Sequence, residues 1–194
     1  MEHTEKNGLP IIAFATDEDF AAWLEAHHAD TPGIWLHMYK KHTGIPSVAW
    51  KGAVVVALRY GWIDSVANKL DDESYIQKFT PRRKGSIWSK INCQTVERLI
   101  AEGLMHPAGM AEVEKAKANG SWENAYDSSK DMQVPQDFVD ALEQYPDAKA
   151  FFATLNRSNT YAIAFKLNTA KKPETRARRF EQLVRMMREG RKLY

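Results

Sequence analysis

The reading of "WIDSVANKLDDESYIQKF", residues 62–79, decides the fold. Two runs rich in β-branched and aromatic side chains flank the acidic trio Asp71-Asp72-Glu73, a hairpin pattern rather than a helical one. A tight turn at Asp71-Asp72 sets Asp64 opposite Phe79 and Val66 opposite Gln77. Trp62, Asp64, Gln77 and Phe79 then share one face of the sheet, because side chains alternate along a strand.

Upstream of the hairpin, "VAWKGAVVVALRY" (48–60) has helical spacing, with Ser47 as candidate cap and Gly61 as its stop. Pro32-Gly33 breaks the chain before "IWLHMY" (34–39), a strand apolar on both faces. "IIAF" (11–14) is an earlier strand. Thr16, with Asp19 three residues on, opens a helix carrying Phe20, Trp23 and Leu24. Beyond residue 90 the texture is helical. Asn92 is the candidate cap of "CQTVERLIAE", which Gly103 stops, and Pro107 opens a helix that Gly120 stops. "YDSSKDMQV" (126–134) reads as a flexible loop, and Pro173-Glu174 starts a last helix with Phe180, Leu183, Val184 and Met187 in one apolar stripe. The expectation is an α+β protein. A small, mostly antiparallel sheet with helices occupies residues 1–90, and a helical half, 91–194, packs against it.

Composition narrows the function classes. The longest apolar run, "AVVVAL" (53–58), is far too short to cross a bilayer, so no membrane partner is expected. The first residues lack the basic-then-apolar layout of a signal peptide. A lone cysteine, Cys93, precludes an internal disulfide and suits a reducing, cytoplasmic setting. The net charge of +2 is unevenly spread: residues 171–194 hold nine Lys/Arg against three Glu, which makes that tail a candidate for weak polyanion binding. His27 and His28 are adjacent, and His37 and His42 fall five apart near a strand end. Neither spacing forms a metal set, so no metal and no cofactor is expected.

Directly after the hairpin comes "TPRRKGSIWSK" (80–90), the densest chemistry in the chain. Arg82 and Arg83 can grip a carboxylate or phosphate through paired hydrogen bonds. Gly85-Ser86 and Lys90 precede a helix start, a second anion-favouring feature, and Trp62 and Trp88 can stack a planar group or an arginine. The candidate site is therefore Trp62, Asp64, Phe79, Arg82, Arg83, Ser86, Trp88 and Lys90, holding a small anionic or aromatic ligand in a cleft between the halves. A competing reading makes this a structural joint in which Asp64 neutralises an arginine. Alternative functions are an enzyme using Asp64 as base or Cys93 as nucleophile, and nucleic-acid or protein partner binding through the tail 171–194.

"ALRYGWIDS", "YIQKFTPRRKGSIWSKIN", "VERLIAEG", "ANGSWENAYD" and "SNTYAIAFKLNTAKKPETRARR" resemble the YdeI/OmpD-associated family, also labelled bacteriocin-protection proteins, from about residue 10 to 190. The resemblance implies a cytoplasmic bacterial protein whose amino-terminal part is similar to YjbR/CyaY-like α+β domains. Its segment 135–194 corresponds to the family's helical OmpD-associated domain. Lys51, Gly52, Val55 and Val56 stand where relatives tend to carry acids, so no general acid or base is expected from that helix.

Overall fold

A computed structural model describes residues 5–128 and 130–194. The chain divides into two compact units, 1–125 and 126–194. The strands lie in the first and the second is helical, giving the expected α+β class.

In the first unit, β1 (Glu5–Lys6), β2 (Leu9–Ala13), β3 (Ile34–Tyr39), β4 (Trp62–Lys69) and β5 (Ser74–Pro81) form one sheet in the order β1-β2-β3-β5-β4. Only the β2–β3 pairing is parallel, and α1 (Asp17–His27) bridges it. Thr16 and Asp19 close the expected capping box on α1. With α2 (Trp50–Arg59), α1 covers one sheet face, and Phe20, Leu24, Ile34, Leu36, Val56, Trp62 and Phe79 fuse into the main core. α3 (Lys90–Ala101) and α4 (Pro107–Ala118) then pack beyond α2 around Leu58, Trp88, Val96, Leu99 and Val113.

The hairpin is the one expected at its open end, where Asp64 pairs with Phe79 and Trp62 with Pro81. Farther along, a β-bulge shifts the register, so Ala67 rather than Val66 opposes Gln77. The buried Gln77 amide explains how the bulge is tolerated: it donates to the Ser65 carbonyl (3.0 Å) and to Asp64 Oδ2 (3.3 Å). Asp71 closes the turn by accepting from Glu73 N, Ser74 N and Ser74 Oγ, and these bonds hold its carboxyl below the ordinary range.

Two expected caps are corrected. Ser47 accepts from Tyr39 N instead of capping α2, whose N-cap Ala49 offers no side-chain bond. α3 starts at Lys90 because Ser89 Oγ accepts from Asn92 N, so Asn92 lies inside the first turn and Cys93 deeper still. Gly61, Gly103 and Gly120 all adopt positive φ where helices end.

The second unit contains α5 (Gln136–Leu142), α6 (Pro146–Ala153), α7 (Arg157–Asn168) and α8 (Pro173–Arg188). They close around Phe138, Leu142, Ile163, Leu167, Leu183 and Met187, with Phe180 and Val184 half-buried on the expected stripe of α8. Of the expected loop 126–134, residue 129 lies outside the described residues, and Met132 is buried.

Candidate functional site

The segment after β5 is fixed by short-range bonds. Arg82 N donates to Gly61 O (3.0 Å), and residues 83–86 close a turn in which Ser86 N donates to Arg83 O (2.8 Å). Ser86 Oγ accepts from Arg83 N (2.9 Å), which locks that turn and leaves Arg83 and Lys84 exposed at its tip. A Cβ at Gly85 would meet nothing within 4 Å, and its φ is not positive, so sterics do not demand the glycine.

Arg82 turns the other way. Its guanidinium lies 3.4 Å from the centre of the Trp88 ring, and Nη1 donates to Ile87 O (3.3 Å). Trp88 is only 3% exposed and meets Trp122 at 4.9 Å between centroids. This stacking makes a firm floor, because a cation over a desolvated indole is attracted by the ring's electron-rich face.

Above that floor lies a cavity of about 500 Å³. One wall is Arg82, Arg83, Lys84, Ser86 and Trp88. The other is the carboxyl-terminal part of α4 and the turn after it, with Glu112, Lys115, Ala116, Asn119 and Ser121. Lys115 pairs with Glu112 at 2.6 Å. Four cations therefore face one carboxylate, which makes the cavity electropositive.

Of the expected site residues, Arg82, Arg83, Ser86 and Trp88 meet here and the others do not. Trp62 is 1% exposed, donates to His28 O and packs edge-on to Trp23, so it is core and cannot stack a ligand. Phe79 is wholly buried against Phe20. Asp64 Oδ2 accepts from Trp50 Nε1 (2.9 Å) and from Gln77, not from an arginine, so it does not orient Arg82 or Arg83. Lys90 opens α3 and does not line the cavity, which places the helix N-terminus outside it. Cys93 is buried, and burial, with Glu97 adding to it, pushes its thiol up to about 11. The thiolate that nucleophilic attack needs is therefore scarce at neutral pH.

Sequence reasoning left out Lys84 and the whole α4 wall. Lys84 lies within the same basic stretch, 80–90. Glu112 and Lys115, three apart on a helix, look like any solvated pair, and only the packing of α4 on α2 turns them toward the loop.

Four of the nine cations of the basic tail are engaged within its own unit. Arg176 pairs with Asp137 (2.8 Å), Arg179 donates to Lys166 O, Arg188 lies 4.4 Å over Tyr145, and Arg191 binds Glu189. Arg178 and Arg185 alternate along α8 with Glu174, Glu181 and Glu189 at helical spacing, so no continuous basic stripe forms there. Among the described residues no group of three His, Cys, Asp or Glu is placed to hold a metal, and no helix is long and apolar enough to cross a membrane.

Residues 12–112 match the family model described as domain of unknown function (DUF8412), and residues 131–190 match the one described as bacteriocin-protection, YdeI or OmpD-associated. Neither a curated protein nor a solved structure matches the chain. The first match spans more than half of the chain, which therefore belongs to the DUF8412 family. The second supports the YdeI/OmpD-associated resemblance at the carboxyl-terminal end, whereas the YjbR/CyaY-like likeness of the amino-terminal part is not supported by these matches.

Proposed function

We propose that this member of the DUF8412 family binds a small anionic ligand in the cavity between the β5–α3 loop and α4. The observation that carries the reading is the set of cations at that cavity, Arg82, Arg83, Lys84 and Lys115, facing the single carboxylate of Glu112. Arg83 and Lys84 are the grips, because their exposed side chains can reach an anion without breaking a contact inside the fold. Arg82 and Trp88 supply the floor, and the Asn119 amide on the far wall adds a polar contact. Binding rather than catalysis is the reading because Asp64 is committed to Trp50 and Gln77 and the Cys93 thiol is held protonated.

A cytoplasmic location in a bacterium belongs to the same proposal. The lone cysteine supports the reducing compartment, and the YdeI/OmpD-associated match supports the source. A YjbR/CyaY-like likeness of the first unit is kept in this proposal on the sequence resemblance alone.

The test is calorimetric titration with inorganic phosphate, pyrophosphate and AMP, comparing the wild type with the Arg83→Ala/Lys84→Ala variant. Both side chains are exposed, so the variant keeps its fold. Loss of two charge-assisted contacts should weaken binding about tenfold or more, and the wild-type affinity should fall with added salt. Identical isotherms for the two proteins with all three probes, or no heat with any of them, would sink the proposal.

A further inference from the structure

We infer that the second unit carries its own ligand site, one that takes a small amphipathic anion: a carboxylate on a short aromatic or aliphatic body. The site lies wholly within residues 126–194 and does not rest on the reading of the first unit. Arg179, Leu183 and Met186 follow one another at helical spacing along one face of α8, a turn apart at each step. With Lys166 of α7 and Leu193 beyond α8, they line a cavity of about 210 Å³.

The cavity persists because the segment after α8 is tied down before it can collapse onto that face. Leu193 N and Tyr194 N both donate to Asn159 Oδ1, at 2.9 and 3.2 Å. Asn159 is 1% exposed, and its own N and Nδ2 donate to Asn156 Oδ1. A buried amide with donor and acceptor both engaged is a rigid anchor, since breaking any of these bonds strands a polar group away from water. Tyr194 lines the cavity as well, but at 83% exposure most of it faces solvent and the space is left open.

The lining sorts by chemistry. Leu183, Met186 and Leu193 make an apolar floor, and Lys166 and Arg179 stand at the rim. Arg179 Nη1 donates to Lys166 O (2.8 Å), which fixes the guanidinium at that rim while its other N–H groups remain available to an acceptor. Among the described residues, neither rim cation makes an ion pair. A carboxylate between them gains charge-assisted hydrogen bonds, and its body removes the apolar floor from water. The volume is below the roughly 300 Å³ at which drug-sized pockets begin. It equals about seven waters at ~30 Å³ each, room for a benzoate or a six- to eight-carbon acid. For an occupant of about ten heavy atoms, the expected Kd is on the order of 0.1–10 mM.

The experiment is an amide chemical-shift titration of the full, ¹⁵N-labelled chain with three probes. Benzoate carries body and charge, benzyl alcohol the body alone, and inorganic phosphate the charge alone. Benzoate should move the amides of Lys166, Arg179, Leu183, Met186 and Leu193 to saturation, benzyl alcohol should bind about tenfold more weakly, and phosphate should leave those amides unsaturated. Met186→Phe fills the floor, keeps both cations and should abolish benzoate binding. Lys166→Gln alters an exposed side chain and should weaken binding about three- to tenfold, which keeps the test valid should Met186→Phe fail to fold. Arg83→Ala/Lys84→Ala should leave benzoate binding unchanged, so this site and the first stand or fall separately. The inference is overturned if benzoate leaves these amides unmoved, if benzyl alcohol matches it, or if a folded Met186→Phe or Lys166→Gln variant binds it as the wild type does.

Discussion

Replacing Gly109 by alanine tests the packing that makes the first cavity. Gly109 lies in the first turn of α4, pressed on the end of α2: an added Cβ would stand 2.1 Å from Arg59 O and 2.8 Å from both Arg59 C and Met105 Cε. Ordinary contact begins near 3.4 Å, so α4 must retreat by about 1.3 Å from a backbone atom that cannot swing aside. The same carbonyl accepts from His106 N (3.1 Å), and the retreat loosens that bond as well. Overpacking costs about 1–3 kcal/mol and a weakened buried acceptor about 1 kcal/mol more, against a gain of ~1 kcal/mol in helix propensity. The net expectation is a loss of about 1–3 kcal/mol, or roughly 2–12 °C in Tm for a chain of this size.

Gly52→Ala is the control. Its Cβ would also clash, at 2.2 Å, but with Asp17 Oδ2, the free end of a side chain that can rotate away. Burial pushes the Asp17 carboxyl up, so moving it toward water relieves a cost, and the variant should be neutral or up to ~1 kcal/mol more stable. Urea unfolding followed by tryptophan emission is the assay. All six tryptophans (Trp23, Trp35, Trp50, Trp62, Trp88 and Trp122) lie in residues 1–125, so the signal reports the first unit alone. If Gly109→Ala is as stable as the wild type, α4 does not approach Arg59 this closely, and the α4 wall of the cavity is misplaced.

Arg82→Ala should uncover Trp88 and cost about 2–3 kcal/mol in the same unfolding assay, whereas Arg83→Ala should stay within about 0.5 kcal/mol of the wild type. Equal effects of the two would contradict the division between floor and grip. Burial raises the Cys93 thiol to about 11 and also lifts the Tyr60, Tyr75 and Tyr161 phenols, so the folded chain keeps protons that the unfolded chain releases. With more protons bound in the native state, stability must fall as pH rises, and for Cys93 the window runs from its unfolded value of 9.0 to about 11. Urea midpoints measured from pH 8 to 11 should decline, and thiol labelling of the native chain should be slow at pH 8 and fast in urea; a flat profile or immediate native labelling would refute it.

The hairpin was legible because two independent signals agreed: β-rich runs, and a turn sequence whose Asp71 could bond its own backbone. The bulge was not, since it depends on where the Gln77 amide finds acceptors across the sheet. The α3 cap slipped because Ser89 and Asn92 are both good caps in sequence, and the choice rests on where packing begins the helix. Four of the eight expected residues, Arg82, Arg83, Ser86 and Trp88, line one cavity because they are close in sequence and share one short, bonded loop. Trp62 and Phe79 misled because an aromatic next to cations looks alike whether it faces a ligand or the core. The pleat turned both toward α1 and α2.

Under the proposed anion binding, the two arginines of "TPRRKGSIWSK" have different parts, one in the joint and one in the ligand site. Asp64, the residue expected to neutralise one of them, is held by an indole and an amide instead. Arg82 is 7% exposed, stacked on Trp88 and bonded to Ile87 O, so taking it toward a ligand would strip a buried ring of its cover. It acts as the joint. Arg83 follows it in a turn closed by Ser86, and that closure projects its side chain and that of Lys84 outward with the backbone already fixed. An anion meeting these two groups therefore orders side chains only, and the loop's conformational entropy has been spent in folding rather than in binding. On the proposed reading, the adjacent arginines of one short loop thus take different parts: Arg82 is held on Trp88, and Arg83 is presented by the turn that Ser86 closes.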